Sequence, residues 1–165
     1  KAEHIDYKGF IFLGLMNDGG YPYVIEYNVR MGDPETEAVM TRIEGDFADL
    51  LNACADGRLN EVHYAKSDKT AVTVMMVSGG YPEAYRKGVK MSGLDTLKDV
   101  VAFHAGTAFD ADNEVVTAGG RVIAVTAQGD SIKAAREKAY CEVEKIHFEG
   151  VNYRHDIGLD LMRMQ

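Results

Sequence analysis

At 165 residues the chain has room for one ordinary domain or two small ones. Hydrophobic residues make up 46% and charged residues 27%, a globular balance that excludes a disordered chain. The formal net charge of −8 excludes a general nucleic-acid binder, which needs a basic stripe, but leaves small anionic ligands open, because a few Lys or Arg in a cleft suffice for those.

In chain order, the apolar run Gly9 to Met16 ends at "NDGG" and predicts a buried strand with a tight turn. "YPYVIEYNVR" is then the return strand of a hairpin. Asp33 before Pro34 is a helix-start signal, which predicts a helix from about Pro34 to Ile43. After Gly45, Asp46 caps a second helix whose buried face is Phe47, Leu50, Leu51 and Cys54, and Gly57 ends it. The polar stretch from Asn60 to Lys69 reads as a boundary, giving units of about 1–66 and 67–165. Beyond it, "AVTVMMVS" (71–78), "VAFHAG" (101–106) and "GGRVIAVTA" (119–127) read as strands, with Met75 and Met76 in the core. Gly129 and Asp130 open a long helix with an apolar face of Ile132, Ala135, Ala139, Val143 and Ile146. Strands first and a helix last predict an α+β class with a mainly antiparallel sheet and one packed helix. The tail, with Arg154, His155 and Asp156, reads as solvated.

Cys54 and Cys141 are distant and lack a CxxC spacing, so neither zinc nor a disulfide framework is indicated, and a reduced, cytoplasmic chain is expected. No apolar run reaches ~18 residues, so no membrane helix is expected, and no signal peptide is visible. The chain opens at Lys1 without a Met and reads as a piece of a longer protein.

"VIEYNVRMGDPETEAVM" (24–40) carries the chemistry. Side chains alternate across a strand, so Glu26, Asn28 and Arg30 share one face while Ile25, Tyr27 and Val29 turn to the core. One reading is a half-solvated strand with a polar outer face. The other is a magnesium site: a carboxylate and an amide oxygen about 7 Å apart at the backbone can converge on one hard cation. Arg30 would then grip phosphate beside it.

The segment "EYNVRMGDPETEAV" resembles the ExNxRxGDPE segment of ATP-grasp ligases. "SGGYPEAYRKG" (78–88), "FHAGT" (103–107), "TAGGRVIAVTAQGD" (117–130), "AREKAY" (135–140) and "FEGVNYRHDIG" (148–158) narrow the resemblance to the phosphoribosylamine–glycine ligase family. The resemblance implies an enzyme of purine synthesis that uses ATP and Mg²⁺ (or Mn²⁺) to join glycine to 5-phosphoribosylamine through glycyl phosphate. It implies Glu26 and Asn28 as metal ligands, Arg30 at the phosphates and Asp33, Pro34 and Glu35 around the reaction centre, Asp33 with Arg30 in catalysis and Glu35 toward the nucleotide. It also implies Gly119, Gly120 and Arg121 as a substrate loop.

For each of these a plainer role stays open. Asp33 can simply cap a helix, and Glu35 and Glu37 can be first-turn acids. Gly119-Gly120-Arg121 can be a turn with a surface Arg, and His104 a structural hydrogen bonder. The family's upstream phosphate-gripping lysines, lid loop, second metal carboxylate and N-terminal domain have no counterpart in this sequence. Residues 1 to about 66 are therefore expected to be the end of an ATP-grasp subdomain. The remainder is expected to be a barrel-sandwich-hybrid-like C-terminal domain, and the chain alone is expected to be inactive. The alternatives are the matching piece of an ATP-grasp carboxylase, or a non-catalytic module that keeps the fold.

Overall fold

The computed structural model describes residues 3–163. Two compact units divide the chain. One runs to Thr36 and resumes over Ile43–Ser67; the other holds Glu37–Arg42 and everything from Asp68 onward. Helices and antiparallel strands are mixed throughout, as the α+β expectation requires.

In the first unit, β1 (Phe12–Asp18) and β2 (Tyr21–Asn28) form an antiparallel hairpin. Its Gly19-Gly20 turn is closed by Asn17, whose Oδ1 accepts from Gly20 N at 3.0 Å. A bulge lies between the Gly14–Glu26 and Leu15–Val24 pairs, so Ile25 is the extra residue. Strict alternation from Val24 to Arg30 therefore fails twice. The bulge moves Val24 off the parity of Glu26, and the strand stops at Asn28, leaving Val29 and Arg30 in a bend. The expected core face is also corrected. Ile25, Tyr27 and Val29 are 64%, 70% and 71% exposed, because no described element covers that side of the hairpin.

Helix α1 (Glu35–Met40) is shorter than predicted. Pro34 stands just before it, joined to Asp33 by a cis peptide, rather than at its first position. A two-residue pairing of β3 (Ile43–Glu44) with β4 (Ala65–Lys66) brackets α2 (Phe47–Asp56). The predicted signals of α2 hold. Asp46 accepts from Asp49 N at 3.0 Å, and Gly57 takes the left-handed conformation (φ 75°) that ends the helix. Its apolar face is not sealed: Leu50, Leu51 and Cys54, with Phe10, Leu59 and Tyr64, line an open hollow of about 430 Å³.

The second unit has a closed core. Strands β5 (Thr70–Val77), β9 (Arg121–Gly129) and β6 (Val100–His104) form an antiparallel sheet in the order β5-β9-β6. The hairpin of β7 (Thr107–Phe109) and β8 (Val115–Thr117) lies between β6 and β9 in the chain. On β5 alternate residues Val72, Val74 and Met76 are buried, and Met75, expected in the core with Met76, is only half-buried on the other side. Central β9 is buried from Val122 to Ala127. Thr126 on it meets the Thr73 hydroxyl at 2.7 Å, so the polar pair is satisfied within the sheet.

Helix α3 (Ile132–Val143) packs Ala135, Ala139 and Val143 on the sheet, and Ile146 follows them into the core just past the helix end. Its cap is Ser131, whose Oγ accepts from Ala134 N at 3.1 Å. Asp130, expected to open the helix, is drawn instead into an ion pair with Lys69. The tail is not merely solvated. Arg136 donates to the carbonyls of Ile157 (3.0 Å) and His155 (2.6 Å), and Tyr140 donates to that of Arg154 (2.6 Å). These bonds tie residues 154–157 to α3, ahead of the short α4 (Leu159–Met162).

Near the end of α3 the buried Glu142 carboxylate accepts from Lys145 Nζ at 2.6 Å and from Lys98 N at 2.8 Å. The Lys145 hydrogen bond holds its pKa below the usual carboxylate range, with the Lys98 amide adding to it against the opposing effect of burial. A depressed folded value stabilises the fold fully above the unfolded value of about 4.3, and that stabilisation drains as pH falls through the folded value. Glu142→Gln is therefore expected to be less stable than the parent at pH 7, with the gap closing in stronger acid. Denaturant titrations at pH 7 and pH 3 measure both gaps, and an equal gap at the two pH values would contradict this account.

Candidate functional site

On β2, Glu26 pairs with Gly14 and Asn28 with Phe12, so the two polar side chains lie on one face of the hairpin. Gly14 makes room for the first: a Cβ there would lie 2.9 Å from Glu26 Cγ. The Glu26 carboxylate is exposed, while Asn28 is half-buried with its Nδ2 sealed from solvent. That Nδ2 has no hydrogen-bond partner among the described residues. A buried polar atom left unpaired costs about 1–3 kcal/mol. A cation would take the other end of this amide, its Oδ1.

A carboxylate and an amide oxygen are the hard donors that Mg²⁺ or Mn²⁺ takes. Among the described residues no group of three or more His, Cys, Asp or Glu could hold a metal. Two oxygen donors leave most of a cation's coordination shell to other groups, which for Mg²⁺ are commonly phosphate and water.

Past the strand end, Arg30 is exposed and its Nη1 donates to the Met31 carbonyl at 3.0 Å. Asp33 and Pro34 are exposed as well. The Glu35 carboxylate lies over buried Gly32, where any side chain would collide with it. The Gly32 carbonyl in turn accepts from Thr36 N at 3.1 Å and from the Thr36 hydroxyl, which fixes this turn. Glu37, in the second unit, was expected as a plain first-turn acid. One of its carboxylate oxygens is instead buried without a hydrogen-bond partner among the described residues. Nothing in the sequence pattern distinguishes it from an ordinary helix acid.

In the second unit the predicted substrate loop is a packed turn. Gly119 N donates to Gly106 O at 3.2 Å, so this amide is already engaged and is not offered to a phosphate. Ser78 holds the turn from the other side, its Oγ donating to Gly119 O at 2.9 Å and its N to Gly120 O at 2.8 Å. A Cβ on Gly120 would run into the Tyr81 ring, which meets Tyr85 edge-on with centroids 6.1 Å apart. Arg121 opens β9 half-buried, and His104 closes β6 exposed.

The described helices include none long and apolar enough to cross a membrane. The family description "Phosphoribosylglycinamide synthetase, C domain" matches residues 71–160. The phosphoribosylamine–glycine ligase of Caldanaerobacter subterraneus subsp. tengcongensis is 46% identical over 96% of this chain. That of Neisseria meningitidis serogroup B is 45% identical over 96% of the chain, and this chain spans only 38% of the length of each. The chloroplastic enzyme of Arabidopsis thaliana is 41% identical over 99% of the chain and 32% of its own length. The crystal structure of the Thermotoga maritima phosphoribosylamine–glycine ligase superposes with a TM-score of 0.77 at 40% identity, covering 94% of this chain and 38% of that one. With more than half of its residues matched to that domain, the chain belongs to the phosphoribosylglycinamide synthetase family.

Proposed function

We propose that this chain is the C-terminal portion of an ATP-dependent ligase that joins glycine to 5-phosphoribosylamine in cytoplasmic purine synthesis. The first unit is read as the end of an ATP-grasp subdomain and the second as a barrel-sandwich-hybrid-like C-terminal domain. The observation that carries the reading is the Glu26–Asn28 face, with Gly14 opened to make room for the Glu26 side chain. The relatives' names supply the substrates: glycine, phosphoribosylamine and, for a ligase, ATP.

In this reading the γ-phosphoryl group of ATP passes to the glycine carboxylate, giving glycyl phosphate and ADP. The amine of phosphoribosylamine then attacks the acyl carbon. A C–N bond forms, the C–O bond to phosphate breaks, and the amine sheds its proton. Glu26 and Asn28 would hold Mg²⁺ or Mn²⁺, which when bound neutralises charge on the phosphate oxygens. Arg30 leaves its Met31 carbonyl to clasp phosphate, a stronger charge-assisted partner. Glu35, whose carboxylate lies over Gly32, borders the nucleotide side. Asp33 and Pro34 shape the turn at the reacting carboxylate. Arg121, with the Gly119-Gly120 turn as its rigid base, faces the sugar phosphate.

The 165 residues alone, which span 38% of the length of the relatives, release no ADP above background. Expressed with the N-terminal domains that the relatives carry, the protein releases ADP only when glycine and phosphoribosylamine are both supplied. ADP release that needs bicarbonate in place of glycine would instead make the parent an ATP-grasp carboxylase.

A further inference from the structure

The "FHAGT" motif has no task in the scheme above, yet it is built with care. His104 is the last residue of β6 and pairs with Ile123, which is fully buried. His104 thus sits on the core-facing side of the sheet but at its open end, and it is exposed. Its Nδ1 lies 2.9 Å from Thr107 Oγ1, and Nε2 has no partner among the described residues.

The backbone around it is fixed. Ala105 N and Gly106 N both donate to Val122 O, at 3.0 and 2.9 Å, and Gly106 O accepts from Ala118 N at 2.7 Å. Gly106 is so close to Gly119 and to the Arg121 carbonyl that a Cβ would strike backbone on either side. The His104 turn and the Gly119–Arg121 turn are therefore one rigid piece, which holds an imidazole and a guanidinium at the same end of the sheet. An imidazole pinned through one nitrogen with the other left outward is the arrangement that presents a ring to a ligand.

We propose that His104 is a substrate-binding residue of the second unit, and that Thr107 is its positioning residue. The Thr107 hydroxyl donates to Nδ1, which places the ring proton on Nε2 and directs that N–H at an anionic oxygen of a phosphorylated sugar. This inference rests on the ligase reading, in which Arg121 faces the phosphate of phosphoribosylamine.

The test uses the full-length enzyme and two substitutions that divide the imidazole between them. In His104→Asn the amide replaces Nδ1 and keeps the Thr107 link but loses the outward donor. In His104→Gln the amide reaches the Nε2 position but loses the link. The Asn variant raises KM for phosphoribosylamine about tenfold or more, while KM for ATP and glycine stays within about twofold. The Gln variant restores much of that loss, and Thr107→Val shifts the same KM in the same direction by less. A KM for phosphoribosylamine that Asn leaves unchanged, or damage by Gln that Asn repairs, makes the pair a structural link closing the turn and overturns the proposal. Failure of the unsubstituted enzyme to use glycine and phosphoribosylamine at all would instead overturn the ligase reading.

Discussion

Glu26→Ala in the full-length enzyme lowers kcat by about 100-fold, equivalent to about 2.7 kcal/mol of barrier. The melting temperature barely moves, because the side chain is exposed. The separation of activity from stability is the informative part. A carboxylate whose work is to hold a cation against phosphate is missed most in the transition state, where phosphoryl charge is spread over more oxygens. Asn28→Ala follows the same direction, with a small gain or no loss in stability, since it removes a buried amide end that finds no partner in the chain. Activity within about tenfold of the parent after Glu26→Ala would remove the metal role.

Met76→Ala produces the opposite signature. Met76 is fully buried, pairs with Ile123 across the sheet and belongs to the cluster that α3 covers with Ala135, Ala139 and Val143. Truncation leaves a cavity in a core whose neighbours are held by strand pairing, and the expected cost is about 2–5 kcal/mol. Denaturant unfolding with a lower midpoint and an unchanged slope measures it. Met75→Ala, one residue earlier on the half-buried side of the same strand, costs clearly less. Equal losses at the two positions would mean that the sheet is covered alike on both sides and that the alternation of β5 has been misjudged.

The second unit was more legible in sequence than the first. β5, β9 and α3 carry their apolar residues at the spacing of their own geometry, so each announces its buried side before any partner is known. Asp46 and Gly57 were legible because caps act within a few residues. What was not legible depended on distant partners. Asp130 and Ser131 are both competent caps, and Lys69, sixty-one residues away, decides by engaging Asp130. The three-residue strands β7 and β8 are too short to show a period. The tail looked solvated because its anchors are backbone carbonyls, reached by Arg136 and Tyr140 from another element.

The candidate site divides the same way. The shared face of Glu26 and Asn28 was visible from alternation, because both lie on the regular side of the bulge. Alternation could not carry Arg30 onto the same face, because the strand has already ended. Nor could it show that Ile25, Tyr27 and Val29 lack a covering layer, since a strand's pattern names a face without naming what packs on it. In the sequence Gly119 and Gly120 read as turn residues and Gly106 as the end of a strand. Their collisions show close approach of backbone to backbone and of Gly120 to Tyr81, a requirement that only three dimensions reveal.

Manganese binding in the presence of an ATP analogue with a non-transferable γ-phosphate tests the Glu26–Asn28 pair most directly. Free Mn²⁺ is read by its paramagnetic resonance signal during titration of the full-length protein. The parent withdraws Mn²⁺ from solution when the analogue is present, and Glu26→Ala weakens that uptake by about tenfold or more while the analogue itself still binds. Equal Mn²⁺ uptake by the parent and by Glu26→Ala would contradict the assignment of this strand face as the cation's protein ligands.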